Sequence, residues 1–134
     1  AIRPASVSKN GKAKEVWRLE ETMPHIPSPL LSGNRLYLWA DNGVITCVRP
    51  QTGERVWKAR VEGVKDTFFG SPVLAGSTIF CVSAYGQVVA IADSDEFKQL
   101  GVTNLGEVCR STPALANGDL YLRTGERLIC VKGK

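Results

Sequence analysis

"SPLLSGNRLYLWADNGVITCV", Ser28 to Val48, is echoed 43 residues later by "SPVLAGSTIFCVSAYGQVVAI", Ser71 to Ile91, and a third time by "TPALANGDLYLRTGERLICV", Thr112 to Val131. With Pro29, Pro72 and Pro113 as register marks, the units are spaced by 43 and 41 residues. A period of this size is the mark of stacked repeats, in which one supersecondary unit cannot bury its own apolar face and relies on its neighbour to do so.

Each unit reads as strands. "LYLWA" (Leu36 to Ala40), "IFCVS" (Ile79 to Ser83) and "LYLRT" (Leu120 to Thr124) combine aliphatic, aromatic and β-branched residues, and each follows a glycine-containing turn. A second turn comes next, "ADNG" in unit one and "SAYG" in unit two, where Gly43 and Gly86 can take positive φ without steric cost. Unit three shortens that turn by one residue, to "TGE". The strands "VITCV", "QVVAI" and "RLICV" follow, and in unit one "PQTGERVWKARV" adds a hairpin and a fourth strand around Val56, Trp57 and Val61. Unit two has "SDEFKQLGV", with Leu100 where Trp57 stood. Upstream of the first unit, "KEVWRLE" (Lys14 to Glu20) repeats the Val-Trp-basic triplet of "ERVWKAR" and reads as another outer strand. Labelling the strands of a unit A to D from the inside out, the order is D, A-B-C-D, A-B-C-D, A-B-C. The expectation is an all-β chain of about three propeller blades, each of four antiparallel strands.

The "SP" before the innermost strand, the glycine turn, the aromatic of "LYL", the small residue in the third strand and "TGERVW" together resemble the PQQ-like repeat. That repeat forms the blades of quinoprotein dehydrogenases and of an outer-membrane-protein assembly lipoprotein. The resemblance runs from Lys14 to Val131 and implies a propeller in a bacterial, periplasmic or cell-envelope setting. It does not choose between enzyme and scaffold, since the same blades serve both. The domain reading is a basic tail at 1–13, an outer strand at 14–20 completing a blade, blade 1 at 28–61, blade 2 at 71–105, and blade 3 at 112–134 without its own outer strand. Three blades cannot surround an axis, which leaves two readings. The chain is the C-terminal part of a larger propeller, or two copies pair into a six-bladed ring, the N-terminal strand of one completing the last blade of the other.

The composition agrees with a soluble globular class: 43% of residues are hydrophobic and 22% charged. No apolar run approaches a membrane span, and no apolar core follows the basic residues at the N-terminus. The chain opens on Ala1 and its sole methionine is Met23, which suits a processed product or a piece of something longer. The net charge of +4 belongs to Arg3, Lys9, Lys12 and Lys14, because from Glu15 onward basic and acidic residues balance. A neutral body has nothing to hold a polyanion, so nucleic acid is not an expected partner.

Four cysteines occur without a CxxC spacing, which gives zinc no support. Cys47, Ala90 and Cys130 share one register position, where a small residue fits between blades, and Cys81 aligns with Leu38 and Leu122. All are expected in the core. Cys109 lies in a connection, as a core residue or a reactive thiol. The resemblance supplies a test for a cofactor, since quinoprotein dehydrogenases hold PQQ over calcium with a vicinal cysteine pair and a stacked tryptophan. This chain has no Cys-Cys, and Trp17, Trp39 and Trp57 sit at blade positions. No PQQ or calcium ligand can be carried onto a numbered residue, so no cofactor, metal or catalytic residue is assigned. Asp41 and Asn42 read as turn formers. His25, the only histidine, has no nucleophile or orienting acid in a recognisable motif.

A binding surface is therefore sought where connections gather: "ETMPHIPS", "EGVKDTFFGS" and "GEVCRS", with the turns near Asp41, Tyr85 and Gly125. The candidates are Phe68 and Phe69 as aromatic anchors, whose alternative is packing over the blade ends, with His25, Lys65, Asp66, Tyr85 and Arg110. The reading is a non-enzymatic scaffold or protein-interaction module, partnered by another protein, by further blades or by a second copy. The competing readings are a segment of a PQQ-dependent oxidoreductase and a sensor domain for a small molecule.

Overall fold

The computed structural model describes residues 2–3, 14–21 and 23–133. Its order is β1 (Ile2–Arg3), β2 (Lys14–Glu15), β3 (Leu30–Ser32), β4 (Arg35–Trp39), β5 (Val44–Val48), β6 (Arg55–Arg60), β7 (Val73–Ala75), β8 (Thr78–Val82), β9 (Gln87–Ala92), β10 (Gln99–Asn104), β11 (Ala114–Ala116), β12 (Asp119–Arg123) and β13 (Leu128–Val131). Three antiparallel sheets follow the repeat: β3-β4-β5-β6, β7-β8-β9-β10 and β11-β12-β13. Gly43 and Gly86 take φ of +77° and +80° in the predicted turns. Gly86 has a second reason to be glycine, because a Cβ there would collide with the Glu107 carbonyl of the following connection.

Alternation along each strand assigns one set of side chains to the preceding blade and the other to the following one. Tyr37, Trp39, Ile45 and Cys47 of blade 1 pack with Ile79, Cys81, Val89 and Ile91 of blade 2. The opposite side of blade 2 offers Val73, Phe80, Val82 and Val88 to Leu120, Leu122 and Ile129 of blade 3. The core thus lies between sheets, as the repeat demanded. Each Ser/Thr-Pro step also has a task. The Ser28 N–H donates to Ser71 Oγ at 2.9 Å, and the Ser71 N–H to Thr112 Oγ1 at 2.9 Å, so the hydroxyl of one blade receives the backbone of the blade before it.

The first interface is further locked by Asp93. Its carboxylate accepts hydrogen bonds from Ser32 Oγ (2.6 Å), Arg35 Nε (2.8 Å) and Tyr37 Oη (2.6 Å). The Arg35 guanidinium, with the two hydroxyls, holds the Asp93 carboxyl down at about 2. Burial, with the bond to Asp93, pushes the Tyr37 hydroxyl well above its ordinary range. Trp57 packs between Tyr37 and Phe97, and its Nε1 donates to the Ser94 carbonyl at 3.1 Å.

One expectation needs correction, that of Cys130. Of the segment 14–20, Lys14–Glu15 is strand and pairs with Ile2–Arg3. Trp17 and Glu21 hold this segment on blade 1, through the Pro50 carbonyl and through Arg55 and Lys58. Cys130 is exposed, whereas Cys47 at the same register is buried against blade 2; among the described residues nothing covers that side of blade 3. The rest of the basic tail, outside Ile2–Arg3 and Lys14, lies outside the described residues.

Candidate functional site

The connections between blades and the β4–β5, β8–β9 and β12–β13 turns meet at one end of the molecule, latched together by acids. Asp41 Oδ1 accepts the His25 N–H at 3.0 Å, and its Oδ2 lies 3.4 Å from the imidazole Nδ1. Asp66 accepts the Thr67 N–H at 2.6 Å and, through its other oxygen, the Tyr85 N–H at 2.7 Å. Glu107 accepts Thr124 Oγ1 and the Glu126 N–H and pairs with Arg127. Every connection is therefore tied to the turn of the blade that follows it. Asn42 is the turn former expected, accepting the Val44 N–H at 3.1 Å. Asp41 does more, and the sequence reading missed it together with Glu107. The available signal was an acid in or beside each connection.

Phe68 is not a surface anchor. It is 0% exposed, packs on Trp39 with ring centroids 5.4 Å apart, and bridges to Ser83. Adjacent residues in an extended segment point to opposite sides, so Phe69 faces outward where Phe68 faces in. The Phe69 ring is half-buried and lies beneath the Arg110 guanidinium, 5.5 Å from its carbon, a cation–π arrangement. Tyr85 is 71% exposed on a backbone fixed by Asp66. Lys65 and Asp66 line an open groove of about 760 Å³ with Arg60, Val61, Val64 and Gln87. The structure thus joins Asp66 to Tyr85 and Phe69 to Arg110, and leaves His25, 84% exposed along its side chain, beside Asp41.

The thiols follow burial. Cys81 Sγ donates to the Gly70 carbonyl at 3.4 Å, and burial raises its thiol well above the ordinary range; burial also raises Cys47 to about 11. Cys109, the suggested reactive thiol, is buried with its Sγ 3.1 Å from the Arg123 carbonyl. A thiol enclosed in that way is a packing residue that closes the connection over blade 3.

Four-stranded blades packed face to face define a β-propeller sector of the PQQ-like kind. The family profile of the outer membrane protein assembly factor BamB matches residues 6–99, and the chain belongs to that family. Among solved structures, BamB from Moraxella catarrhalis is similar at 17% identity and a TM-score of 0.66, over 91% of this chain and 36% of that one. The quinohemoprotein alcohol dehydrogenase ADHIIG from Pseudomonas putida HK5 is similar at 11% identity and a TM-score of 0.62, over 81% and 18%. A europium-containing methanol dehydrogenase follows at 12% identity and 0.56, over 69% and 19%. At such identities the likeness is one of fold, and the chain spans about a third of the BamB chain. No curated protein matches.

Proposed function

We propose that this chain is a sector of a larger propeller that acts as a non-enzymatic scaffold at the bacterial cell envelope, its loop-bearing end holding a protein partner. Tyr85 carries the reading: a large aromatic side chain left in solvent on a backbone pinned by Asp66, beside a groove edged by Lys65. Aromatic side chains on a fixed backbone anchor interfaces at little entropic cost. Phe69 under Arg110 extends the same face. Family membership supports the envelope setting and a protein as the partner.

The test places a photocrosslinking residue at position 85 and, as a control, at Glu54 in the β5–β6 turn at the opposite end. Crosslinks to an envelope protein from position 85 alone, abolished by Arg110→Ala with Phe69→Ala, are the expected result. Equal crosslinking from both ends, or calcium-dependent PQQ binding by the chain, overturns the scaffold reading in favour of the oxidoreductase one.

A further inference from the structure

At the loop-bearing end the latching acids are already engaged, and the cations beside them are not. Asp41, Asp66 and Glu107 each accept hydrogen bonds from the connections and turns they join. Lys65 and Arg110 are exposed and, among the described residues, have no carboxylate within ion-pair distance. Arg60, also exposed, gives one N–H to the Asn42 carbonyl at 2.6 Å and is otherwise unpaired among those residues. The charge left over at this end is positive.

Two of these cations, Arg60 and Lys65, line the groove between blades 1 and 2, whose floor is Val61 and Val64, 3% and 6% exposed. Asp66, the one acid among the described lining residues, is turned to the Thr67 and Tyr85 N–H groups. The side-chain amide of Gln87 lines the groove as well and has no partner among the described residues. The wall is fixed. The Val61 N–H donates to the Gly43 carbonyl at 3.0 Å and the Phe68 N–H to the Asp41 carbonyl at 2.8 Å. Between them the Glu62 N–H donates to Gln99 Oε1, and Gln99 Nε2 donates to the Glu62 carbonyl, both at 2.9 Å. A segment held along its length keeps the groove in shape without a partner, so binding there orders little. Blade 1, blade 2 and the connection joining them supply all of its lining.

We infer that this groove takes an extended, acidic segment of the partner protein. Arg60 and Lys65 meet its carboxylates, Val61 and Val64 receive an apolar side chain beside them, and the Gln87 amide pairs with a peptide group. The inference rests on the loop-end partner proposed above and adds what that partner presents. Cations rimming an apolar floor fit a carboxylate flanked by an aliphatic residue. A phosphate backbone calls for many cations on a positively charged body, and this body is neutral. Arg110 over Phe69 extends the same sign along the face. Rim charges of one sign steer and select a partner of the other.

Fluorescence anisotropy on the full chain with short labelled peptides, alternating valine with glutamate, serine or lysine, tests this. Only the glutamate peptide is expected to bind, more weakly as salt rises. Arg60→Ala and Lys65→Ala each weaken it about two- to fivefold, the range of an exposed ion pair, and Arg60→Glu with Lys65→Glu abolishes it. Lys98→Ala, at an exposed lysine between β9 and β10 at the opposite end, leaves it unchanged. Circular dichroism of each variant, expected to match the parent, keeps loss of fold apart from loss of contact. Equal binding of the peptides, no binding by any, or indifference to the Arg60 and Lys65 variants overturns the inference. So does a preference for phosphatidylglycerol vesicles over the glutamate peptide, which assigns the face to a membrane. Crosslinking from position 85 separates the two proposals. Crosslinks that persist in Arg60→Glu with Lys65→Glu keep the partner and remove the groove, whereas glutamate-peptide binding without crosslinks keeps the groove and removes the partner.

Discussion

The two interfaces of this molecule share one geometry and differ in chemistry. Between blades 1 and 2 lie Tyr37, Trp39, Trp57, Phe68 and Phe97, with the Asp93 carboxylate holding three donors. Between blades 2 and 3 lie Val73, Val82, Val88, Leu120, Leu122 and Ile129 with a single aromatic, Phe80. The difference is written at fixed register positions: Phe80 and Val82 stand where Tyr37 and Trp39 do and Thr78 where Arg35 does, while the strand pairing puts Gly101, opposite Ala90, where Trp57 stands opposite Cys47, and not Leu100 as the sequence spacing suggested. Aromatic side chains bury about 150–250 Å² each, so the first seam is the principal source of stability. The second is a thinner seam of aliphatic contacts, drawn shut by the Glu107 latch.

The largest effect is expected where the first seam is densest. Phe68→Ala removes a fully buried ring from its contact with Trp39 and costs about 3–5 kcal/mol in urea unfolding. Leu122→Ala, at the second seam, costs about 2 kcal/mol, the low end for a buried leucine, because blade 3 has room to relax toward its uncovered side. Equal losses for the two variants break the comparison.

Charge gives the next test, through the half-buried Asp93 and Arg35 of the first seam. Asp93 titrates at about 2 in the folded chain against about 3.9 unfolded. A depressed carboxyl contributes stability that is complete above the unfolded value and lost as pH falls through the folded one. That contribution is about 2.5 kcal/mol and disappears between about pH 4 and pH 2. Asp93→Asn lowers stability by about 2 kcal/mol at neutral pH and flattens the acid limb. Urea midpoints measured from pH 2 to 7 check both. An unchanged acid limb in the variant assigns the pH dependence to other carboxylates.

The architecture was legible because a period near 42 residues, alternation within each strand and glycine at the turns all point the same way. The family followed from the same residues. Phe68 and Phe69 were not separated, since a pair of aromatics in a connection reads as surface until the extended backbone between them is recognised. Asp66 and Glu107 both stand six residues before their register prolines, Pro72 and Pro113, so aligning the repeats brings these two latches together; the first was hidden because Met23 holds that offset and the acid, Asp41, lies in the turn instead. The exposure of Cys130 follows from what covers a blade, which is a property of neighbours rather than of the strand. Trp17 was legible as a repeat of Trp57, but its place on blade 1 depends on Gly53 and Glu21, which no periodicity marks.

The smallest effect tests where the seams are alike. Ser71→Ala removes the acceptor of the Ser28 N–H at the first interface, and Thr112→Val removes that of the Ser71 N–H at the second. Each hydroxyl contributes about 1 kcal/mol, less where water can replace it. Ser28 is exposed and Ser71 half-buried, so Thr112→Val leaves the less hydrated donor and is expected to cost a few tenths of a kcal/mol more. Paired urea curves at one pH resolve that order. The reverse order means that the aromatic seam amplifies its neighbouring hydrogen bond, and that the two interfaces differ even in the element the repeat holds constant.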